Sequence, residues 1–244
     1  MTILLTGGDG YLGWPTALRI ASRTDDRVVL VDNFARREWV ENVGSRSATP
    51  VAPIEQRLDA AEEVLGLSNL SFVEGDLADK EFTDEVLGIH EPDVIVHAAA
   101  QPSAPYSQIN GERANYTQHN NMQATRNLLW GLEELGLTDT HFIETTTTGV
   151  YGAPEFPIPE GGATMENQGE TDEVPFPAMA GSWYHLTKSH DAANMRLAHS
   201  QFDIPISDVR TSIIYGASTE ETRADDRLAT RFDFDYYFGV VAHR

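Results

Sequence analysis

Apolar residues gather in short runs at residues 3–6, 28–31, 70–73, 94–97, 141–145 and 206–214, each of a length suited to a strand. Between these runs, apolar positions recur at helical spacing over residues 11–22, 54–65, 81–89, 113–135 and 183–201. Strands alternating with helices imply right-handed crossovers and a parallel sheet covered on both faces. The expected fold class is therefore α/β, a doubly wound parallel sheet.

Two stretches break the rhythm. Residues 153–181 carry Pro154, Pro157, Pro159, Pro175 and Pro177 among many glycines, which reads as a long ordered loop on the substrate side. Residues 217–244 are charged and then aromatic, and residues 238–242 read as a helix still in progress. This division gives a main domain over residues 1–216, followed by the start of a smaller substrate domain that looks cut short.

Composition narrows the setting. No apolar run approaches the roughly 20 residues needed to span a bilayer, and no basic segment precedes the first strand, so neither a membrane span nor a signal peptide is expected. With no cysteine among 244 residues, disulfides, thiolate metal sites and thiol nucleophiles are excluded. The 38 acidic residues outnumber the 17 Lys and Arg, giving a formal charge of −21. Such a surface repels phosphate backbones and anionic lipid, so neither nucleic acid nor membrane is expected as a partner. Lys80 and Lys188 are the only lysines, and the acids are scattered along the chain. An acidic, lysine-poor surface of this kind suits a halophilic, high-salt, cytoplasmic setting, where screening removes the self-repulsion.

The first chemical motif is Thr6-Gly7-Gly8-Asp9-Gly10-Tyr11-Leu12-Gly13, directly after the first strand and opening a helix. Glycines serve there for a tight turn, close backbone approach to a pyrophosphate, and packing of helix on strand. The helix N-terminus then offers N–H groups and positive dipole to phosphates. Asp32 ends the second strand, 19 residues after Gly13, where a carboxylate accepts hydrogen bonds from a ribose. Strand, glycines, helix, strand and acid in this order predict a dinucleotide site. Arg36 and Arg37 suit a 2′-phosphate, but Asp32 would repel one, so NAD is favoured over NADP. Asp76-Leu77 after the third strand, and Ala98-Ala99 after the fourth, would complete the cleft.

A second motif, Tyr184-His185-Leu186-Thr187-Lys188, places a phenol and an ammonium on one helix face. A lysine ammonium beside the phenol, with a cationic nicotinamide nearby, favours phenolate and lowers the tyrosine pKa, which makes Tyr184 a base for an alcohol as hydride leaves. Thr147, in the threonine run 145–148 at the end of the fifth strand, offers a hydroxyl to the same oxygen. Four threonines are also ordinary strand residues, and the run gains meaning only beside the other motifs. The histidines lack metal-ligand spacing, and no metal is expected; His119 and His185 could touch ligand, but structural roles are favoured for both.

Together these motifs resemble the extended short-chain dehydrogenase/reductases with their NAD-binding Rossmann fold, the group of nucleotide-sugar epimerases and dehydratases, and most closely its sulfoquinovose-synthase branch. The resemblance rests also on Ser103-Ala104-Pro105-Tyr106-Ser107 and Tyr116-Thr117-Gln118-His119-Asn120-Asn121. It implies oxidation of UDP-glucose at C4 by bound NAD, loss of water across C5–C6, addition of sulfite at C6 and re-reduction. By motif match, Thr147, Tyr184 and Lys188 are catalytic. Asp9, Gly10, Asp32, Asn33, Arg36, Asp76, Leu77, Asn120, Tyr184, Lys188 and Ile214 line the NAD site, with Gly7, Tyr11, Gly13, Ala98 and Ala99. Gln101, Thr147 and Thr211 lie at the substrate. A homodimer is implied, formed through helices 113–135 and 183–201.

The departures fall at the substrate. The branch has arginine where this chain has Pro102, glutamine where it has Thr211, and Met-Gly-Glu where it has Thr148-Gly149-Val150. The segment Val150-Tyr151-Gly152 matches the epimerase pattern instead. A UDP-sugar 4-epimerase and an NAD-binding module without turnover therefore stay open beside the first reading.

Overall fold

The computed structural model describes residues 1–159, 161–176 and 178–239. In chain order the elements are β1 (Thr2–Thr6), α1 (Gly13–Arg23), β2 (Arg27–Asp32), α2 (Ala35–Asn42), α3 (Ile54–Leu65), β3 (Leu70–Glu74), α4 (Lys80–His90) and β4 (Val94–His97). There follow α5 (Ala104–Ser107), α6 (Gly111–Glu134), β5 (His141–Thr147), β6 (Gly162–Asn167), β7 (Glu170–Pro175), α7 (Trp183–Phe202) and β8 (Ile206–Thr211). Six strands form one sheet in the order β3-β2-β1-β4-β5-β8, with every pairing parallel. The chain winds outward from β1 to β3 and then returns to β4, so a crevice opens between the carboxyl ends of β1 and β4. The expected doubly wound sheet is the one observed.

Its apolar runs are uninterrupted because both faces are covered. In β2, Val29 and Val31 pack with Leu87, Leu128 and Met195 of α4, α6 and α7. Val28 and Leu30 point the other way, to Trp14, Leu18, Ala60 and Ala61 of α1 and α3. Side-chain caps start the later helices: Asp79 accepts from the N–H groups of Glu81 and Phe82, Asn110 from that of Arg113, and Ser182 from that of His185.

Three expectations need correction. Within residues 153–181 stands a β-hairpin, β6 paired antiparallel with β7. Its two-residue turn, Gln168-Gly169, has positive φ at both positions, the conformation that matches strand twist. Its residues are mostly exposed, so no buried face imposes apolar alternation, and the pattern hides it. The run at 206–214 stops being strand at Thr211. Residues 217–239 lie back on the main sheet's helices: Trp14 Nε1 donates to the Leu228 carbonyl, and Thr230 Oγ1 to that of Tyr11. At residues 237–238 the chain forms a turn, with both N–H groups donating to Asp235 Oδ1. The rest of the expected helix lies outside the described residues.

The glycine turn sets where α1 begins. Gly7 has φ +74°, and a Cβ there would stand 2.8 Å from the Ala99 nitrogen. A Cβ on Gly13 would stand 2.0 Å from the Gly7 carbonyl oxygen, a backbone atom that cannot swing aside. Gly13→Ala should therefore destabilise the fold by about 3 kcal/mol or more, read as a lower midpoint in denaturant unfolding with an unchanged slope.

Candidate active site

A cavity of about 640 Å³ fills the crevice, within the usual range for a small-molecule site. One end is walled by Gly7, Gly10, Tyr11 and Gly13 of the turn and by Asp32, Asn33 and Arg36 beyond β2. Asp76, Leu77, Ala98, Ala99 and Asn120 form its middle, and Thr147, Tyr184, Lys188, Thr211 and Ile214 its other end. Residues from eight separated stretches of chain thus meet on one surface because each lies at the carboxyl end of a strand or on a helix just beyond it.

Two expected members stand apart. Asp9 is buried beside the cavity, its carboxylate held by Arg57 Nη1 at 2.7 Å and by Arg37 Nε and Nη2 at 2.8 and 2.7 Å. It braces the turn and has no face toward a ligand. Gln101 is fully buried, and its amide is spent internally: Nε2 donates to Thr117 Oγ1 and the Ser103 carbonyl, while Oε1 accepts the Ser103 N–H. It shapes the loop after β4. The arginines considered for a 2′-phosphate are also engaged, Arg37 by Asp9 and Arg36 by Asp233 at 2.5 Å.

Asp32 receives the N–H groups of Asp9 at 2.9 Å and Phe34 at 2.7 Å, one on each oxygen. Burial pushes its carboxyl up to about 6, although those two hydrogen bonds favour the ionised form. Each oxygen keeps a lone pair for a hydroxyl. Gly7 and Gly13 leave open backbone where a pyrophosphate must approach, so the residues present fit a dinucleotide: glycine turn at the phosphates, Asp32 at the adenosine ribose, Lys188 and Tyr184 beyond.

At the other end Tyr184 is partly buried, its backbone N–H donating to Ser107 Oγ at 3.2 Å. The phenol is raised above its ordinary value: burial dominates, Lys188 pulls it down, and the acids Asp191 and Glu144 push it further up. The lysine alone does not outweigh burial and the two acids. Lys188 is itself buried, donating from Nζ to Glu144 Oε1 at 2.7 Å and lying 3.5 Å from Asp191 Oδ2. Burial alone would lower it, but the two acids outweigh burial and raise it. Thr147 Oγ1 accepts the Gly149 N–H at 3.0 Å and keeps its own proton to donate. His185, read from sequence as structural, lines the cavity with its ring against Gly149 and 5.3 Å from that of Tyr184.

Sequence reading missed Glu144 and Asp191. A carboxylate in the middle of an apolar parallel strand, and an acid one turn after the lysine, were the available signals. Asn121 was also missed as a brace: its Nδ2 donates to the Gln101 carbonyl and to Thr187 Oγ1, both at 3.1 Å, tying α6 to the loop and to α7. Among the described residues no group of three His, Asp or Glu is placed to hold a metal, and no helix is long and apolar enough to cross a membrane.

A doubly wound sheet whose crevice holds a glycine turn at one end and a Tyr–Lys pair at the other defines a dinucleotide-binding fold. The chain belongs to the NAD-dependent epimerase/dehydratase family, whose model matches residues 3–233. It is 39% identical to the chloroplastic UDP-sulfoquinovose synthase of Spinacia oleracea over 242 residues, 99% of this chain and 50% of that one. To the UDP-sulfoquinovose synthase of Sulfolobus acidocaldarius it is 38% identical, over 100% of this chain and 61% of the relative. The chain thus spans half to three-fifths of the length of these relatives. In fold it is similar to UDP-glucuronic acid 4-epimerase from Bacillus cereus, solved with UDP-glucuronic acid and NAD: TM-score 0.62, 24% identity, 89% of this chain and 58% of that one.

The Asp32 carboxyl sets a pH dependence. It ionises as pH rises through about 6, and the ionised form is the one that accepts from ribose hydroxyls. NADH affinity, followed by fluorescence, should therefore rise with pH across that value. Asp32→Asn should bind about tenfold more weakly at pH near 8 and lose the pH dependence.

Proposed function

We propose that the chain forms the cofactor-holding part of an enzyme that works on a UDP-sugar as UDP-sulfoquinovose synthase does, oxidising C4 of UDP-glucose and then adding sulfite at C6. The observation that carries this reading is the convergence of Thr147, Tyr184 and Lys188 on one wall of a cavity whose other end is the glycine turn. The near-complete alignment of the chain with two sulfoquinovose synthases supports the substrate.

Bound NAD would supply the acceptor for the C4 hydride. Thr147 donates from Oγ1 to the C4 oxygen and orients it. Tyr184 takes the hydroxyl proton on its phenolic oxygen and later returns it. Lys188, fixed from below by Glu144 and Asp191, offsets the charge on the phenolate. Elimination and addition need a further acid–base group near C5 and C6. After Thr147 the wall continues with Thr148 and Gly149, whereas Val150 is buried and faces away. His185 is the titratable side chain beside Tyr184 on that wall, and burial lowers its pKa, so it stands neutral and able to accept a proton.

The lack of a carboxylate after Thr147 favours a second reading, a UDP-sugar 4-epimerase, which needs only C4 oxidation, a turn of the keto sugar and re-reduction at C4. Incubation with UDP-glucose, with and without sulfite, separates the two: a sulfonated sugar supports the first and UDP-galactose the second. In either case Tyr184→Phe should lower turnover by about 10³-fold while NADH affinity holds, the usual weight of a positioned acid–base group. NADH binding with no turnover of any UDP-sugar, in parent and variant alike, would leave an NAD-binding module without chemistry.

We also propose a homodimer formed through the outer faces of α6 and α7, where Trp130 and Leu197 are exposed. A cytoplasmic setting goes with a need for nucleotide sugar and NAD. For the −21 surface we propose adaptation to high salt. The melting temperature should climb as KCl rises from about 0.1 M to about 1 M, as the screening length falls from about 10 to about 3 Å. A flat or falling curve would refute that adaptation.

A further inference from the structure

Beneath Tyr184 lies a charge cluster of which the hydride chemistry uses only one member. Glu144 occupies an inward position of β5, between Phe142 and Thr146, and is fully buried. Asp191, also fully buried, follows Lys188 by one turn of α7. Neither acid lines the cavity, while Tyr184 and Lys188 both do. Two carboxyl groups thus share one ammonium out of reach of water. Two buried negative charges against one positive charge is a costly state, relieved when one carboxyl keeps its proton.

Burial raises both carboxyls, and neither oxygen of Asp191 has a hydrogen-bond partner, whereas Glu144 is tied into a chain of polar groups that runs to the sheet. Its Oε2 lies 3.4 Å from Thr125 Oγ1 on α6, and that hydroxyl stands 3.2 Å from His97 Nε2 on β4. His97 Nδ1 in turn meets Thr6 Oγ1 at 2.7 Å, and Thr6 Oγ1 accepts the Ala99 N–H under the cofactor crevice. Burial holds His97 neutral, with its pKa lowered to about 4, so it brings no charge to relieve the acids. On the neighbouring strand β8, Asp208 pairs in register with Glu144, but its carboxylate is taken by Thr146 and Arg210. Lys188 is therefore the one cation against Glu144 among the described residues. Burial pushes the Glu144 carboxyl up to about 7, with Lys188 pulling it down and Asp191 pushing it further up. A protonated Glu144 still meets Thr125, whose hydroxyl can accept as well as donate.

We propose that Glu144 is a positioning residue for the Tyr184–Lys188 pair: it anchors the ammonium from the side opposite the cavity, and the charge it carries decides how much of that ammonium's field reaches the phenol. With Glu144 protonated, Lys188 answers to Asp191 and to Tyr184, and the phenolate is favoured. With Glu144 ionised, its negative charge is set against the phenolate and Tyr184 is harder to ionise. The proposal rests on Tyr184 as the base for its consequence in turnover, but the electrostatic link itself is measurable without turnover.

The phenol can be titrated by ultraviolet difference absorbance of the full chain, with Tyr184→Phe subtracted as reference. Glu144→Gln keeps an oxygen to accept from Lys188 and removes the ionisation, and should lower the Tyr184 midpoint by about 1 pH unit. A folded Glu144→Gln protein with an unchanged midpoint overturns the proposal. Should that variant fail to fold, infrared spectra of the parent decide. A buried carboxylic acid absorption that fades near pH 7, and fades at lower pH in Asp191→Asn, supports it. No such absorption in the parent, or its complete loss in Asp191→Asn, overturns it. Retained sugar turnover in Tyr184→Phe would instead defeat the reading of Tyr184 as base, and the titration result would stand apart from that outcome.

Discussion

The structure depends on one close approach of backbone to backbone. The turn after β1 passes so near the ends of β4 and α1 that no side chain fits at Gly7 or Gly13. That contact fixes the start of α1 over the sheet, and with it the N–H groups that face the crevice. It also sets the Asp9 N–H against Asp32, so the acid at the end of β2 is held by the same turn whose phosphate-facing side it complements. Displacing the turn by an ångström would misplace both ends of a dinucleotide together.

Buried ion pairs hold the elements around that turn, and each ties parts of the chain that lie far apart in sequence. Asp9 joins α2 and α3 through Arg37 and Arg57, the latter fully buried and stacked 4.1 Å over Trp14. Asp233 joins residues 217–239 to α2 through Arg36, with Arg231 beside it. Burial would raise Asp233, but the two arginines outweigh it and hold its carboxyl below the ordinary value. Such pairs give little net stability against an apolar core. Breaking one member is expensive, about 3–5 kcal/mol, because it leaves a buried charge alone. They therefore specify arrangement: the cavity wall from Arg36 to Phe238 exists because a chain segment 200 residues downstream is pinned to it.

What the sequence made legible follows from what leaves a periodic trace. All six sheet strands and the five long helices were read to within a few residues, since burial on both faces writes itself as apolar runs. The hairpin β6–β7 was read as loop, because a pair of exposed strands buries no face. The short helix α2 was missed for a related reason: only Trp39 and Val40 of its eight residues are buried. At the site, the expected residues at strand ends line the cavity, since topology alone brings them there. Asp9 and Gln101 were assigned to ligand on their position in a motif, yet their side chains turn inward to hydrogen-bond partners that no local pattern reveals. Glu144 escaped for the converse reason: it lies within a strand whose pattern pointed only to packing.

The sign of the tyrosine shift shows why neighbours must be counted before a pair is interpreted. A phenol four residues before a lysine suggests a lowered pKa, and in isolation the lysine would supply it. Here the ammonium is shared with two carboxyl groups that the helix face and the strand bring from behind, so the site as a whole is close to neutral or negative before any cofactor binds. Burial then dominates and the phenol stays protonated. In the proposed function, a base that resists ionisation until a positive charge arrives is useful, because the cationic ring of an oxidised nicotinamide would supply that charge at the moment a substrate hydroxyl must lose its proton. The free protein then carries no exposed phenolate, and the acids beneath Lys188 set how large the cofactor's contribution has to be.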